Sequence, residues 1–252
     1  MAKVYSNNSG LIDEYEIYRS KVKKGAKFSL FSLIIGGIIW LIASGINPYL
    51  ASSISPFIMF FVFGGFIYSG INSQRAKILD VGITGEEDIQ EIIETLPDDY
   101  YGISNVNVWF EGKKSELDMV VVGKNGVFII ETKNHNGRIT GDASDHDLTQ
   151  RKVGRKGTPY SKDFYNPIKQ VGTHTYRLSN FLKTQGIHVW VQGMVYFANS
   201  EAVVDIDNIS KTPVFCKYYD EEDDLCDYIT SYPSKSQLPD NIINKIVQLL
   251  TD

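Results

Sequence analysis

The chain is poor in the residues that mark a stapled or cofactor-loop protein. Cys216 and Cys226 are its two cysteines in 252 residues, and neither sits in a Cys-x-x-Cys. That spacing implies no disulfide framework and argues against a zinc site; two reduced thiols in a cytosolic domain are expected. There is no Gly-x-Gly-x-x-Gly, no P-loop and no internal repeat, so no sequence signature points to a dinucleotide site or an NTPase. Positive charge is outnumbered, 25 Lys and Arg against 30 Asp and Glu, for a net charge of -5. This balance weighs against a general nucleic-acid coat protein while leaving room for a local basic groove.

Charge is missing altogether from residues 28–46 (FSLFSLIIGGIIWLIASGI) and 54–71 (ISPFIMFFVFGGFIYSGI). Each run approaches the roughly 20 apolar residues that cross a bilayer. The short link around Asn47-Pro48-Tyr49 makes the pair a helical hairpin. Neither run carries the polar stripe of a helix in a soluble core. A cleaved signal peptide fits poorly, because the first run starts late and a second follows. Arg19, Lys21, Lys23, Lys24 and Lys27 precede the first span, and Arg75 and Lys77 follow the second. The positive-inside bias places both ends in the cytoplasm and the link outside. Trp40, Tyr49 and Tyr68 suit interfacial positions, and Gly36-Gly37 and Gly64-Gly65 permit close helix packing. The expected organisation is a cytoplasmic segment (1–27), two transmembrane helices (28–71), a linker (72–83), a soluble domain (84–200) and a C-terminal extension packing on it (201–252).

From Thr84 onward the chain reads as mixed α/β. Residues 85–96 fit an amphipathic helix with Ile89, Ile92, Ile93 and Leu96 on one face. Thr84 is expected as its N-cap, with Glu87 completing a capping box. Glu86 lies on the side shared with Ile89 and Ile93, where a carboxylate is unusual; a helix-dipole contact is the plain alternative. Tyr101–Trp109 reads as a strand. Residues 134–163 read as a polar loop with a basic run, Arg151, Lys152, Arg155, Lys156 and Lys162. Such a run is usually a solvated surface, but beside an acidic site a phosphate-contacting role becomes credible. Asn166-Pro167 opens a helix to about Lys183, with Gln170 and His174 one turn apart; His174 is given no catalytic role. Strands are expected within Gly186–Asn199 and Thr212–Lys217, and a closing helix over Leu238–Leu250.

The densest chemistry lies in ELDMVVVGKNGVFIIETKN, residues 116–134. Two apolar, β-branched runs flank Gly123-Lys124-Asn125-Gly126, the pattern of a hairpin with a four-residue loop. If Val122 faces Val127, counting back sets Asp118 opposite Glu131 on the same face. Strand alternation adds Lys133 to that face. Two carboxylates this close repel unless neutralised. Mg²⁺ typically takes one or two carboxylates together with substrate phosphates and water, so Asp118 and Glu131 are expected as metal ligands. A solvated Glu131–Lys133 salt bridge at an ordinary strand end is the plain alternative.

Taken in order, Gly85-Glu86, Glu116-Leu117-Asp118, GVFIIETKN, Gly137-Arg138-Ile139 and Asn166-Pro167-x-x-Gln170 resemble the NERD domain, the nuclease-related domain. The resemblance covers about residues 84–200, and its relatives are the PD-(D/E)xK, restriction-endonuclease-like nucleases. Family members often carry a Trp after the Gly-Arg-Ile strand, where this chain has Leu148-Thr149. The resemblance implies an α/β fold with a restriction-endonuclease-like mixed sheet flanked by helices. It implies Mg²⁺, with Mn²⁺ as a substitute, held by Asp118 and Glu131, and Lys133 supporting the attacking water. By position, Glu86 matches the first-helix acid and Gln170 the glutamine of the later helix. Arg138 joins Arg151, Lys152, Arg155 and Lys156 as expected substrate contacts. The function expected is a membrane-anchored, metal-dependent nuclease acting on nucleic acid, DNA before RNA, with its domain in the cytoplasm. The alternative is a catalytically silent module of the same fold that binds nucleic acid or a protein partner at the membrane.

Overall fold

A computed structural model describes residues 1–7, 10–154, 157–209, 211–217, 222–234 and 236–251. The chain divides into two compact units, Gly10–Ile83 and Met1–Ser9 with Thr84–Asp252.

In the first unit, helix α1 (Gly10–Ile46) is followed after Asn47 by helix α2 (Pro48–Glu94). Both contain windows long and apolar enough to cross a membrane. Their contact is made of small residues. A Cβ at Gly36 would overlap Ile58 Cγ2 at 2.4 Å, and one at Gly65 would overlap Ser29 Oγ at 2.2 Å. Gly37 and Gly64 face open space, so one glycine of each pair supplies the close approach. Ser29 Oγ donates to the Val62 carbonyl at 2.9 Å and Ser69 Oγ to that of Val22 at 3.1 Å. These bonds satisfy hydroxyls on a helix surface whose outward side chains, Phe31, Leu41, Phe57, Phe60 and Ile67 among them, are exposed and apolar. Pro56 lies within α2 without ending it.

Residues 72–83, expected as a linker, are helical, and Thr84 is an interior residue of α2 rather than an N-cap. The stretch Gln74–Leu79 is made of residues that propagate a helix, with no proline to stop it. The capping-box pattern is therefore present in sequence but has no helix start to act on.

The second unit holds two sheets. Strands β1 (Lys3–Ser6), β2 (Tyr101–Phe110), β3 (Lys113–Gly123), β4 (Gly126–Lys133), β8 (Val191–Phe197) and β10 (Val214–Cys216) form a six-stranded mixed sheet in that order. Strands β5 (Gly137–Asp142), β6 (Asp147–Val153), β7 (Pro159–Tyr165) and β9 (Ala202–Asp207) form a second sheet, ordered β7-β6-β5-β9. Helix α3 (Pro167–Thr184) links β7 to β8, and α4 (Glu222–Ser231) and α5 (Asp240–Thr251) close the chain. The fold is thus mixed α/β, with sheets flanked by helices.

Strand alternation gives the large sheet two buried faces. Val120, Val122, Val127, Ile129 and Val195 pack with Val171, Leu178 and Leu182 of α3, Ile243 and Ile246 of α5, and Ile139 and Leu148 of the second sheet. On the other face, Met119, Val121, Phe128, Ile130 and Tyr196 pack with Ile89, Ile92 and Ile93 of α2 and Leu225 of α4. Burial on both faces is why these strands read as near-continuous apolar runs rather than as alternating ones.

Residues 134–163 are a correction to the expected loop: they carry β5, β6 and β7. Along β6, Leu148 and Gln150 are buried and Arg151 is exposed. That is a two-residue period, obscured in sequence because one of the inward residues is a glutamine. Gly137 begins β5 with φ +81°, and a Cβ there would meet the Arg151 carbonyl oxygen at 2.4 Å. Glycine is required both by conformation and by the approach of β6.

Candidate active site

The register of the β3–β4 hairpin is the counted one, Val122 opposite Val127, with Gly123 paired to Gly126. The connecting loop is therefore Lys124-Asn125, two residues rather than four. Paired residues extend to Met119 and Ile130, and the chemistry begins just past that point. The carboxylate of Asp118, Oδ2, accepts from the Thr132 backbone N–H at 2.7 Å. Lys133 Nζ donates to Glu131 Oε1 at 2.5 Å. Glu131 and Lys133 continue the alternation of Val127 and Ile129, and Asp118 that of Val120 and Val122. All three belong to the face covered by α3.

Burial sets the electrostatics. The Glu131 side chain is 1% exposed. Its burial, reinforced by the Asp118 charge and opposed by Lys133, pushes the carboxyl pKa up to about 8. Burial also raises Asp118, against Lys133 and the Thr132 N–H. For Lys133, burial favours the neutral amine, but Glu131 and Asp118 outweigh it and hold the pKa above its ordinary value. Two acids and one ammonium in a desolvated corner remain short of positive charge.

The structure adds a residue that sequence reasoning set aside. His174, buried on α3, places Nδ1 3.7 Å from Glu131 Oε2. Both atoms are buried without a hydrogen-bond partner. Burial, with Lys133 and Arg177 nearby, pushes the imidazole down to about 4, so it is neutral at pH 7. Its one-turn spacing from Gln170 was the available signal.

Gln170 lies on α3 one turn before His174. Glu86 lies on α2, the helix that covers the opposite face of the sheet. A Cβ on its neighbour Gly85 would come 3.6 Å from Thr132 Cγ2, which sets this part of α2 beside the end of β4.

Asn166 explains the Asn-Pro motif physically. It is fully buried, its side-chain oxygen caps α3 by accepting from Ile168 N at 3.0 Å, and its amide donates to the carbonyls of Asp142, Ala143 and Asp145. One side chain thus joins the start of α3 to the β5–β6 turn, and Pro167 supplies the preset φ of a first helical residue.

The expected basic contacts separate. Arg138 and Arg151 are directly paired neighbours on β5 and β6, and Arg138 forms an ion pair with Asp205 at 2.6 Å. Lys152 has the opposite strand parity and lies on the other face. Arg155 and Lys156 fall outside the described residues. The ring of His135, two residues past Lys133, contacts Phe164 of β7 at a centroid distance of 4.4 Å. Burial, with Lys133, Lys152 and Lys162 adding to it, pushes His135 down to about 4.

Asp118 and Glu131 are the residues that could hold a cation here. Among the described residues no group of three or more His, Cys, Asp or Glu side chains is assembled for a metal. Two carboxylates, one with an unpartnered buried oxygen, still fit a hard divalent ion that keeps much of its coordination for water and phosphate.

Residues 81–198 match the nuclease-related domain family, NERD. An uncharacterized Bacillus anthracis protein is 33% identical over 92 residues, 36% of this chain and 43% of that protein, so the match spans less than half of the relative's length. A crystal structure of protein VC1899 from Vibrio cholerae aligns over 89% of this chain and 57% of its own at 14% identity, with a TM-score of 0.30, a likeness on which nothing rests. Residues 81–198 of this chain are a nuclease-related domain of the NERD family.

Proposed function

We propose that this protein is a membrane-anchored, metal-dependent nuclease of the PD-(D/E)xK type that hydrolyses phosphodiester bonds, DNA being the favoured substrate. The observation that carries it is the cluster of Asp118, Glu131 and Lys133 just past the point where the β3–β4 pairing ends, inside a nuclease-related domain, with Glu131 Oε2 buried and unpartnered. Asp118 and Glu131 would hold Mg²⁺ or Mn²⁺, which supplies the positive charge that polarises a phosphoryl oxygen and makes water a better nucleophile.

The chain's own groups do the rest. The Thr132 N–H orients the Asp118 carboxylate. Lys133 holds the Glu131 carboxylate in place by donating to Oε1. Its ammonium would stand near charge developing on a phosphate held at this corner, where a preorganised donor lowers the barrier most. The neutral imidazole of His174 faces Glu131 Oε2 without adding charge. Gln170, on the helix over this face, and Glu86, on α2 beside the end of β4 on the other face, are proposed as further contacts to water or substrate. The hairpin of α1 and α2 would hold the domain at the cell membrane as a two-span anchor, with both ends in the cytoplasm.

The test is cleavage of DNA and RNA by the full chain in detergent micelles, with EDTA, Mg²⁺ or Mn²⁺. Cleavage only with a divalent ion is expected. Binding of nucleic acid without cleavage under any of these ions favours the silent-module reading.

A further inference from the structure

The β6–β7 ribbon presents one face toward the core and the segment that leaves Lys133, and one away from it. Its register pairs Leu148 with Phe164, Gln150 with Lys162 and Lys152 with Tyr160. Alternation puts these six side chains on one face. That face is the inner one: Leu148 is part of the core that includes Val120 and Ile129, Phe164 packs against that core, and its ring meets His135. The Gln150 amide donates to the Asn136 carbonyl at 2.7 Å, tying this face to the segment that leaves Lys133. Outward along the same face come Lys162, exposed, Lys152, half-buried, and Tyr160, 50% exposed. Lys152 and Lys162 are diagonal neighbours across the two strands, about 7–8 Å apart between backbones. Neither forms an ion pair among the described residues. Burial and the charge of Lys162 hold the Lys152 pKa down, and both lysines depress His135. Two uncompensated ammonium groups on one partly dry face repel each other, and an anion relieves that repulsion.

We propose that the inner face of the β6–β7 ribbon is the track for the substrate's phosphate backbone, with Lys152 and Lys162 contacting phosphates on the strand that leads to Lys133 and Tyr160 flanking them as a stacking surface. The outer pair, Arg138 and Arg151, does not take part: Arg138 is already neutralised by Asp205, and both lie on the face turned away. This rests on the nuclease reading for the identity of the polyanion. An anionic lipid surface is the competing partner, and the geometry disfavours it because the lysines share the inner face with Phe164, whose ring meets His135 two residues from Lys133.

The test uses the full chain in neutral phosphatidylcholine nanodiscs, with a fluorescent oligonucleotide, single-stranded and duplex, titrated in EDTA across a salt series. Each phosphate contact contributes about 0.7–0.9 to the slope of log K against log salt. The Lys152→Gln/Lys162→Gln double variant is expected to bind at least about tenfold more weakly and to lose roughly 1.5–2 from that slope. Lys162→Gln alone, at an exposed position, is expected to lose about half of that slope change. Arg138→Gln/Arg151→Gln is expected to stay within about threefold of wild type. Equal losses in both double variants, or an unchanged slope in the lysine variant, overturn the proposal. So does loss of binding to vesicles containing anionic lipid with oligonucleotide binding intact. Wild type that binds in EDTA with the predicted lysine dependence yet never cleaves would sink the nuclease reading and leave the track standing. Cleavage with kcat/KM unchanged in the lysine variant would do the reverse.

Discussion

At the scale of single residues, desolvation decides what the candidate site can do. Glu131 is buried beside another acid, and Lys133 alone cannot neutralise both. His135 gives the cleanest pH prediction, because its shift is set by burial and by three lysines. Its folded pKa of about 4 lies below the ordinary histidine value of about 6.5. The unfolded chain therefore binds a proton over that window while the folded one does not, so this group's contribution to stability is lost as pH falls from about 6.5 toward 4. His135→Gln is expected to remove that component. The wild-type melting temperature minus the variant's, measured in EDTA at pH 7.5, 6 and 4.5, should become steadily more negative toward acid. A difference independent of pH would show that His135 titrates normally.

At the scale of elements, what was legible followed burial. The β3–β4 hairpin could be read with its register, because Val120, Val122, Val127 and Ile129 leave few ways to pair two apolar strands around Gly123–Gly126. Asp118, Glu131 and Lys133 were legible with it, being fixed by counting from the turn. The second sheet was not, because β5, β6 and β7 bury little more than Ile139, Leu148, Gln150 and Phe164, and their other positions are mostly polar, charged or glycine and stay exposed or half-buried. The start of the amphipathic helix at Thr84 was misread because a valid cap sequence lies inside a longer helix. For His174 the one-turn spacing from Gln170 was the only signal, and spacing alone does not separate a core histidine from one aimed at a carboxylate. The same elements yield a stability prediction. Asn166→Ala removes the N-cap of α3 and its three bonds to the β5–β6 turn. A cap is worth about 1 kcal/mol, and leaving buried carbonyls unpaired costs about 1–3 kcal/mol more. The expected loss is roughly 2–4 kcal/mol in chemical denaturation, mostly recovered in Asn166→Asp only if the cap rather than the amide contacts dominates. A loss under 0.5 kcal/mol would contradict the described role of Asn166.

At the scale of the whole chain, two units of different character share one polypeptide. Gly10–Ile83 holds its helices together through Gly36, Gly65, Ser29 and Ser69 and turns aromatic and aliphatic side chains outward; the other unit buries its apolar residues on two faces of a sheet. If the first is a two-span anchor, a cysteine placed at Asn47 should react with an impermeant thiol reagent from outside intact cells, and one placed at Arg75 only after permeabilisation. The reverse pattern would refute the proposed topology. The central claim is that Asp118, Glu131 and Lys133 form the metal-dependent site of phosphodiester hydrolysis. Its most direct test is the cleavage rate of the full chain in Mg²⁺ for wild type, Asp118→Asn, Glu131→Gln and Lys133→Met, with oligonucleotide binding measured on the same samples. Wild-type cleavage, with each variant at least about a hundredfold slower while still binding oligonucleotide, is the predicted result. Wild-type cleavage that persists at full rate in Glu131→Gln would contradict it.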